Sequence, residues 1–226
     1  MKMLVGCPIS NYKSYCFDKY ISAVKDLSYK NYDVLLVDNS RTDTYFNFIR
    51  KKINSIKNIS IVRGKYFESV RERIVHSRNI LREEALKNYD YFLSLEQDVI
   101  PPRDIIERML KHKKKIVSGI YFVTFEDNLV PLLYKKVRGD EVRHLTFEEV
   151  KNDRLIEVDA CGLGCVLIHK DVLKKVKFRY DKTKEPFDDI WFCIDAAKNG
   201  FKIYCDTSVK CVHMIMGRWG WSDIKK

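Results

Sequence analysis

The stretch YDYFLSLEQDVIPP, residues 89–102, decides how this chain reads. Tyr91, Phe92, Leu93 and Leu95 form a run that is apolar on both faces, as a central strand of a parallel sheet should be, and Pro101 and Pro102 stop it. Between the run and the prolines stand Glu96, Gln97 and Asp98. Carboxylates two positions apart at a strand end point to the same side. That placement suits a divalent cation whose other coordination positions are filled by phosphate oxygens and water. The local alternative is that these acids decorate a loop and cap the helix that follows. Spacing alone leaves both readings open.

Outward from this strand, short β-rich runs alternate with segments whose apolar residues recur at three and four, which argues for β/α units around a mainly parallel sheet. MLVGCPI and DVLLVD are the first two strands, separated by a helix with Phe17, Tyr20, Ile21, Val24 and Leu27 on one face. NSRTD precedes a second helix expected to bury Phe46, Ile49, Ile53 and Ile56, and ISIV is the third strand. A longer helix covers about 69–86. After the two prolines, Ile105, Ile106, Met109 and Leu110 mark another helix closed by KHKKK, where positive charge suits the carbonyl end of the dipole. IVSGIYFV is a further strand. From 124 to 153 the pattern loosens into an excursion from the sheet. LIEVDACGLGCVLIHKDVL then reads as strand, glycine bend, strand and short helix. DDIWFCIDAAKNG is a helix with Gly200 past its end, and FKIYCD and VKCVHM are two more strands.

A chain of 226 residues buries a sizeable core, and no repeat or low-complexity linker divides it, so one domain spanning 1–226 is expected. No stretch approaches the ~18 consecutive apolar residues of a membrane span, and MKMLVGCPIS meets a proline before a signal-peptide core is complete. A soluble, cytoplasmic protein is the reading. The seven cysteines include no C-x-x-C, which favours buried thiols over a zinc knuckle or redox pair. A net charge of +11 favours anionic partners without choosing among nucleotides, nucleic acids and acidic membranes.

In an open α/β sheet, ligands bind beyond the carboxyl ends of the strands. Residues 8–11, 38–40 and 96–98 should therefore share one crevice. His213 ends a late strand and is either a third metal ligand or a hydrogen-bonded core histidine. Asp188 and Asp189 open a helix as ordinary caps, or one of them accepts a proton. In the terminal HMIMGRWGWSDIKK, Arg218, Trp219 and Trp221 suit either a loop that orders over a ligand or a tail packed on the core.

The order of VGCPISNY, VLLVDNSRTD, HSRNILREEAL, YFLSLEQDVIPP, GLGCVLIHKDVL, FDDIWFCIDAAKNGFKIYCD and VKCVH resembles the family 2 glycosyltransferases, enzymes of the GT-A fold that use nucleotide-sugar donors. The likeness runs from residue 2 to about 214. It implies a Rossmann-like, mainly parallel central sheet flanked by helices, with a smaller acceptor-side β region. Residues 1–123 would form the nucleotide-sugar-binding half, and 124–226 the acceptor-binding half and C-terminal loop. Pro8 and Asp38 would lie around the donor base, and Arg78 and Asn79 would help form the nucleotide pocket.

Glu96-Gln97-Asp98 falls on the family's D-x-D motif. Asp98 would bind Mn2+ or Mg2+, while Glu96, one methylene longer than the usual aspartate, would contact the ribose or the metal, with Gln97 between them at the nucleotide-sugar site. His213 matches a late metal-ligating histidine. Asp188-Asp189 falls on the family's E-D pair, with Asp189 as the base and Asp188 supporting it. Gly162 and Gly164 match a glycine bend that lets backbone approach the donor sugar.

The partners implied are a UDP- or GDP-linked sugar donor and a saccharide, lipid-linked or small-molecule acceptor, with no nucleic acid. A basic surface would suit peripheral contact with the membrane inner face. A nucleotidylyltransferase would need a glycine-rich loop after the first strand, and GCPISNYKS holds a single glycine. A non-catalytic binder of nucleic acid or anionic surfaces would account for the charge, and its signature is salt-sensitive affinity without a metal requirement.

Overall fold

The computed structural model describes residues 1–126, 128–138, 141–184 and 186–215. In chain order the strands are β1 (Met3–Ile9), β2 (Tyr32–Asp38), β3 (Ile59–Arg63), β4 (Tyr91–Leu95), β5 (Val99–Ile100), β6 (Ile116–Ile120), β7 (Phe122–Phe125) and β8 (Asn128–Pro131). They continue as β9 (Leu133–Arg138), β10 (Glu141–His144), β11 (Leu155–Val158), β12 (Ala160–Cys161), β13 (Cys165–His169), β14 (Ile203–Lys210) and β15 (Val212–His213). The helices are α1 (Phe17–Lys25), α2 (Asp43–Ile53), α3 (Val70–Asn88), α4 (Ile105–Leu110), α5 (Phe147–Val150), α6 (Lys170–Lys175) and α7 (Asp188–Lys198), with a 3-10 turn over Asn11–Cys16 ahead of α1.

Eight strands form the central sheet in the order β11-β14-β6-β13-β4-β1-β2-β3. The β4-β1-β2-β3 side is parallel throughout, and β14 runs parallel to β6. β13 is antiparallel to both β4 and β6, because the chain re-enters the sheet from the glycine bend instead of crossing over through a helix. Strands from both sides of residue 123 therefore share one sheet. The described residues between 124 and 153 do leave it: β7 and β8 form one hairpin, and β9 and β10 join the later β12 in a separate small sheet.

Alternation along β1 sends Met3, Val5, Cys7 and Ile9 to one face and Leu4 to the other, following the period of two. The first face packs against α1, α2 and α4 through residues such as Phe17, Tyr20, Ile49 and Ile106. The second packs against α3, α6 and α7 through Leu81, Leu173 and Phe192. In α2 the buried positions are Tyr45, Ile49 and Ile53, not Phe46, which lies beneath the Arg50 guanidinium. Ile56 follows the end of the helix. FKIYCD and VKCVHM, expected as separate strands, run together in β14, and the end of the second reappears as the short β15. Gly200, at φ +78°, ends α7 in the left-handed conformation that glycine adopts without strain.

The helix α3 departs most from a simple amphipathic pattern, because Arg73, Arg78 and Arg82 are all buried on it. Arg82 Nε donates to the carbonyls of Leu173 and Val176 at 2.8 and 2.9 Å, closing the C-terminus of α6. All seven cysteines are buried and unbridged. Among the described residues no helix is long and apolar enough to cross a membrane. Arg218, Trp219 and Trp221 lie outside the described residues.

Phe92 is fully buried in the face covered by α3, α6 and α7. Phe92→Ala is expected to cost about 3–5 kcal/mol of unfolding free energy, measured by urea denaturation. A loss below about 1 kcal/mol would show that this face does not hold the sheet.

Candidate active site

The carboxyl ends of β1, β2 and β4 open onto a cleft of about 490 Å3, closed on its far side by α3 and the loop before it. Pro8, Ser10 and Lys13 line it from the end of β1, Asn39 from β2, Arg73 and Ile74 from α3, and Glu96 from β4. Arg73 holds the loop in place by donating from Nη1 to the Glu68 carbonyl at 3.0 Å.

Glu96 and Asp98 point to one side, as the spacing predicts, and the Lys13 ammonium lies between them. Its Nζ is 2.9 Å from each Asp98 oxygen and 3.8 Å from Glu96 Oε2. Gln97 points the other way and is fully buried. Its Nε2 donates to the Lys13 carbonyl and to Tyr45 Oη, both at 2.8 Å, and its Oε1 accepts from Ser10 N–H at 3.0 Å. Gln97 thus anchors the 3-10 turn to the end of β4, with its amide turned away from the cleft.

His213 reaches Asp98 across 115 positions of sequence because β15 pairs antiparallel with β5, setting His213 opposite Val99. Met214 N–H completes the clasp by donating to the Asp98 carbonyl at 2.7 Å. His213 Nδ1 bonds the Phe122 carbonyl at 2.7 Å, which leaves Nε2 directed at Asp98 Oδ2, 3.3 Å away. Nδ1 must carry the proton that the Phe122 carbonyl accepts, so Nε2 donates to Asp98 while the ring is charged and would offer a lone pair to a cation only once that second proton is lost. Burial would raise the Asp98 carboxyl, but the His213 bond and the Lys13 ammonium bring it down to about 2. Burial likewise works against charge on His213, yet Asp98 holds its pKa above the ordinary value.

This donor set fits a divalent cation in part. Asp98 and His213 offer an oxygen and a nitrogen side by side, Glu96 is a neighbouring carboxylate, and the ammonium shows that the place holds positive charge. Among the described residues no three or more His, Cys, Asp or Glu side chains gather to form a complete metal site. The remaining ligands would have to come from substrate oxygens and water, as hard cations at diphosphates require.

Arg78 is the second cation of the site and is 2% exposed. It donates to Ser94 Oγ at 2.8 Å, bonds Glu96 Oε1, and places Nε 2.6 Å from Asp188 Oδ2, an ion pair outside hydrogen-bond alignment. Burial disfavours its charge, but Asp188, Glu96 and Asp189 together hold the guanidinium above its ordinary pKa. Asp188 is raised by burial even with Arg78 beside it. Asp189, next in the first turn of α7, accepts from Ile190 N–H at 2.8 Å. Burial and then the like charge of Asp188 push its carboxyl up to about 7.

Other predicted residues sit apart from the cleft. Asn79 lies about 100° around the helix from Arg78 and exchanges hydrogen bonds with the Phe178 backbone, Nδ2 to O at 2.8 Å and N to Oδ1 at 3.2 Å. It ties α3 to the segment after α6. Asp38 is wholly buried, its Oδ1 engaged by Ser40 Oγ at 2.6 Å and its Oδ2 by Arg63, so Asn39 stands in the cleft wall where Asp38 was expected. The close approach that Gly162 and Gly164 permit is to protein. A Cβ on Gly162 would meet Tyr121 Oη and Leu132, and one on Gly164 would lie 2.7 Å from Tyr121 Oη.

Tyr121 itself was not singled out from sequence, though Gly164 N–H donates to its hydroxyl at 3.0 Å and its ring meets His213 edge-on with centroids 5.2 Å apart. Lys13 was also missed, although it immediately follows the quoted segment VGCPISNY.

No protein-family model and no curated protein matches the sequence significantly. Solved structures do. The chain is similar to GalNAc-T7 with UDP, GalNAc and Mn2+, with TM-score 0.72 and 12% identity, covering 94% of this chain and 44% of that one. It is similar to the mannosyltransferase PcManGT from Pyrobaculum calidifontis in complex with GDP-Man and Mn2+, with TM-score 0.61 and 15% identity, covering 89% and 53%. It is also similar to A197 from STIV, with TM-score 0.55 and 18% identity, covering 95% and 86%. The fold is GT-A. The chain spans about half the length of the first two of these structures, and at such identities the likeness establishes architecture alone.

Removing Arg78 leaves the buried Asp188 without its counter-charge and Glu96 with Lys13 alone, 3.8 Å away. Arg78→Met is expected to lose about 3–5 kcal/mol. Arg78→Lys should recover only part of that, because an ammonium lacks the planar fork that reaches both acids. Urea unfolding of both variants checks this, and an unchanged midpoint for Arg78→Met would contradict it.

Proposed function

We infer that the protein is a glycosyltransferase of the family 2 kind, moving a sugar from a UDP- or GDP-linked donor to an acceptor hydroxyl with Mn2+ or Mg2+ bound. One observation carries this reading. Asp98 is clasped to His213, and Asp189 follows Asp188, the partner of Arg78, in the first turn of α7; the two carboxyls have opposed proton affinities. One carboxyl stays ionised at any working pH, and the other is poised to exchange a proton near neutrality. A pair of titratable groups pushed apart in this way separates a charge-holding role from an acid–base role. The nucleotide-bearing neighbours, GalNAc-T7 with UDP and PcManGT with GDP-Man, support the donor class.

In this reading the nucleoside lies in the cleft against Pro8, Asn39 and Arg73, with its diphosphate toward Glu96 and Asp98. Asp98 and Nε2 of His213 would hold the cation, and Glu96 would bond the ribose or a metal-bound water. A divalent ion there supplies Lewis-acid neutralisation of the charge that grows on the departing diphosphate. Asp189 takes the proton of the acceptor hydroxyl as that oxygen attacks the anomeric carbon, a contribution of about 10²–10⁴-fold. Direct attack inverts the anomeric centre. Asp188, fixed on Arg78, keeps the first turn of α7 in place and supplies the like charge that raises Asp189. Gly162 and Gly164 let Tyr121 pack behind His213. The acceptor, a saccharide, a lipid-linked saccharide or a small molecule, would approach from the side of residues 124–153.

Thermal melting with UDP and GDP, each with Mn2+ and with a chelator, tests the donor and the metal together. A diphosphate at ~100 times its dissociation constant stabilises by ~2.7 kcal/mol, so a metal-dependent rise of several degrees is expected, abolished by Asp98→Asn. No rise with either nucleotide would count against the reading. Because Asp189 works deprotonated, turnover should climb as pH rises through about 7, and Asp189→Asn should lower kcat by about 10²–10⁴-fold without that limb. Product stereochemistry showing retention would exclude direct attack.

A further inference from the structure

The Lys13 ammonium stands where the proposed cation would bind. It touches both Asp98 oxygens at 2.9 Å and faces Glu96 Oε2 at 3.8 Å. Two positive ions cannot share those carboxylates at such distances without strong repulsion, so one of them must leave.

The Lys13 backbone cannot be what moves. Its N–H donates to Ser10 O at 3.0 Å, and its carbonyl accepts from Gln97 Nε2 at 2.8 Å and Cys16 Sγ at 3.0 Å. The side chain can. Its side-chain exposure is 41%, it lines the open cleft, and its four-carbon stem carries a rotatable ammonium. A Lys13 displaced from Asp98 points into the cleft where the donor's diphosphate would lie.

We propose that Lys13 is a built-in counter-cation of the acidic site, which holds Asp98 and Glu96 in the free protein and transfers to the diphosphate when metal and nucleotide enter together. The inference rests on the transferase reading and adds a coupling to it. Metal alone must displace the ammonium from both carboxylates into the open cleft with no new anionic partner there, so it binds weakly. Metal arriving with a diphosphate offers the ammonium new anionic partners, so each ligand strengthens the other.

The test uses the full chain, with free Mn2+ measured by electron paramagnetic resonance and UDP or GDP binding measured by calorimetry. In Lys13→Met, which keeps the apolar stem, Mn2+ without nucleotide should bind at least about tenfold tighter than in the wild type. Mn2+ alone should then raise the melting temperature of the variant but barely change that of the wild type. The factor by which Mn2+ strengthens diphosphate binding should shrink correspondingly. Lys13→Gln should behave in the same way, which guards against a folding defect in either variant, and adding Asp98→Asn should abolish the gained Mn2+ affinity.

Equal Mn2+ affinity in wild type and both Lys13 variants would overturn the inference. The transferase reading would still stand if wild-type diphosphate binding needs Mn2+ and Asp98. Wild-type protein that binds neither diphosphate in a metal-dependent way would sink that reading, and this inference with it.

Discussion

A guanidinium enclosed by protein organises this molecule. Arg78 sits between Glu96, at the end of β4, and Asp188, at the start of α7, and it reaches Ser94 as well. A buried ion is costly to desolvate and is retained only where its partners are in place. The same contact therefore fixes the central strand, the long helix that carries Arg78 and the first turn of α7 with respect to one another. Through it, two carboxyl-bearing elements far apart in sequence are held on one buried cation.

That constraint also distributes charge. Arg78 is engaged by Asp188 and Glu96, and Asp189 is left with burial and a like-charged neighbour, which carry it to about 7. Asp98 sits beyond the reach of this arrangement and has its own cations in Lys13 and His213, which carry it to about 2. The difference comes from which positive group each acid meets, not from differences in exposure, because burial raises both. The short β5/β15 ladder is as important as the large sheet here, since it sets His213 beside Asp98, with the Met214 N–H and the Phe122 carbonyl completing the placement.

Much of this was legible in residues 89–102 and their neighbours, because strand periodicity, paired prolines and the spacing of Glu96 and Asp98 are local signals. The helix opened by Asp188 and Asp189 was legible for the same reason. Orientation about a helix was not. Arg78 turns inward and Asn79 outward to Phe178, and α3 buries arginines where a pattern of apolar residues would be sought. Of residues 38–40, all expected in the crevice, Asn39 lines it while Asp38 turns into the protein, because a carboxylate at the end of β2 finds Ser40 and Arg63 there. The glycines at 162 and 164 do permit a close approach, and the neighbour is Tyr121, at the junction of β6 and β7, whose pairing with the glycine bend is a long-range contact that no local pattern displays. Lys13 depends on a 3-10 turn whose register a sequence does not display.

The central claim is that the end of β4 and the histidine of β15 together hold a divalent cation beside a proton-accepting aspartate. Anomalous diffraction from crystals grown with Mn2+ and UDP or GDP tests it most directly. The account predicts a manganese peak in contact with Asp98 and Nε2 of His213, bridged to the diphosphate, with Lys13 withdrawn from Asp98. A bound diphosphate with manganese elsewhere, or with the Lys13 ammonium still seated on Asp98, would contradict it.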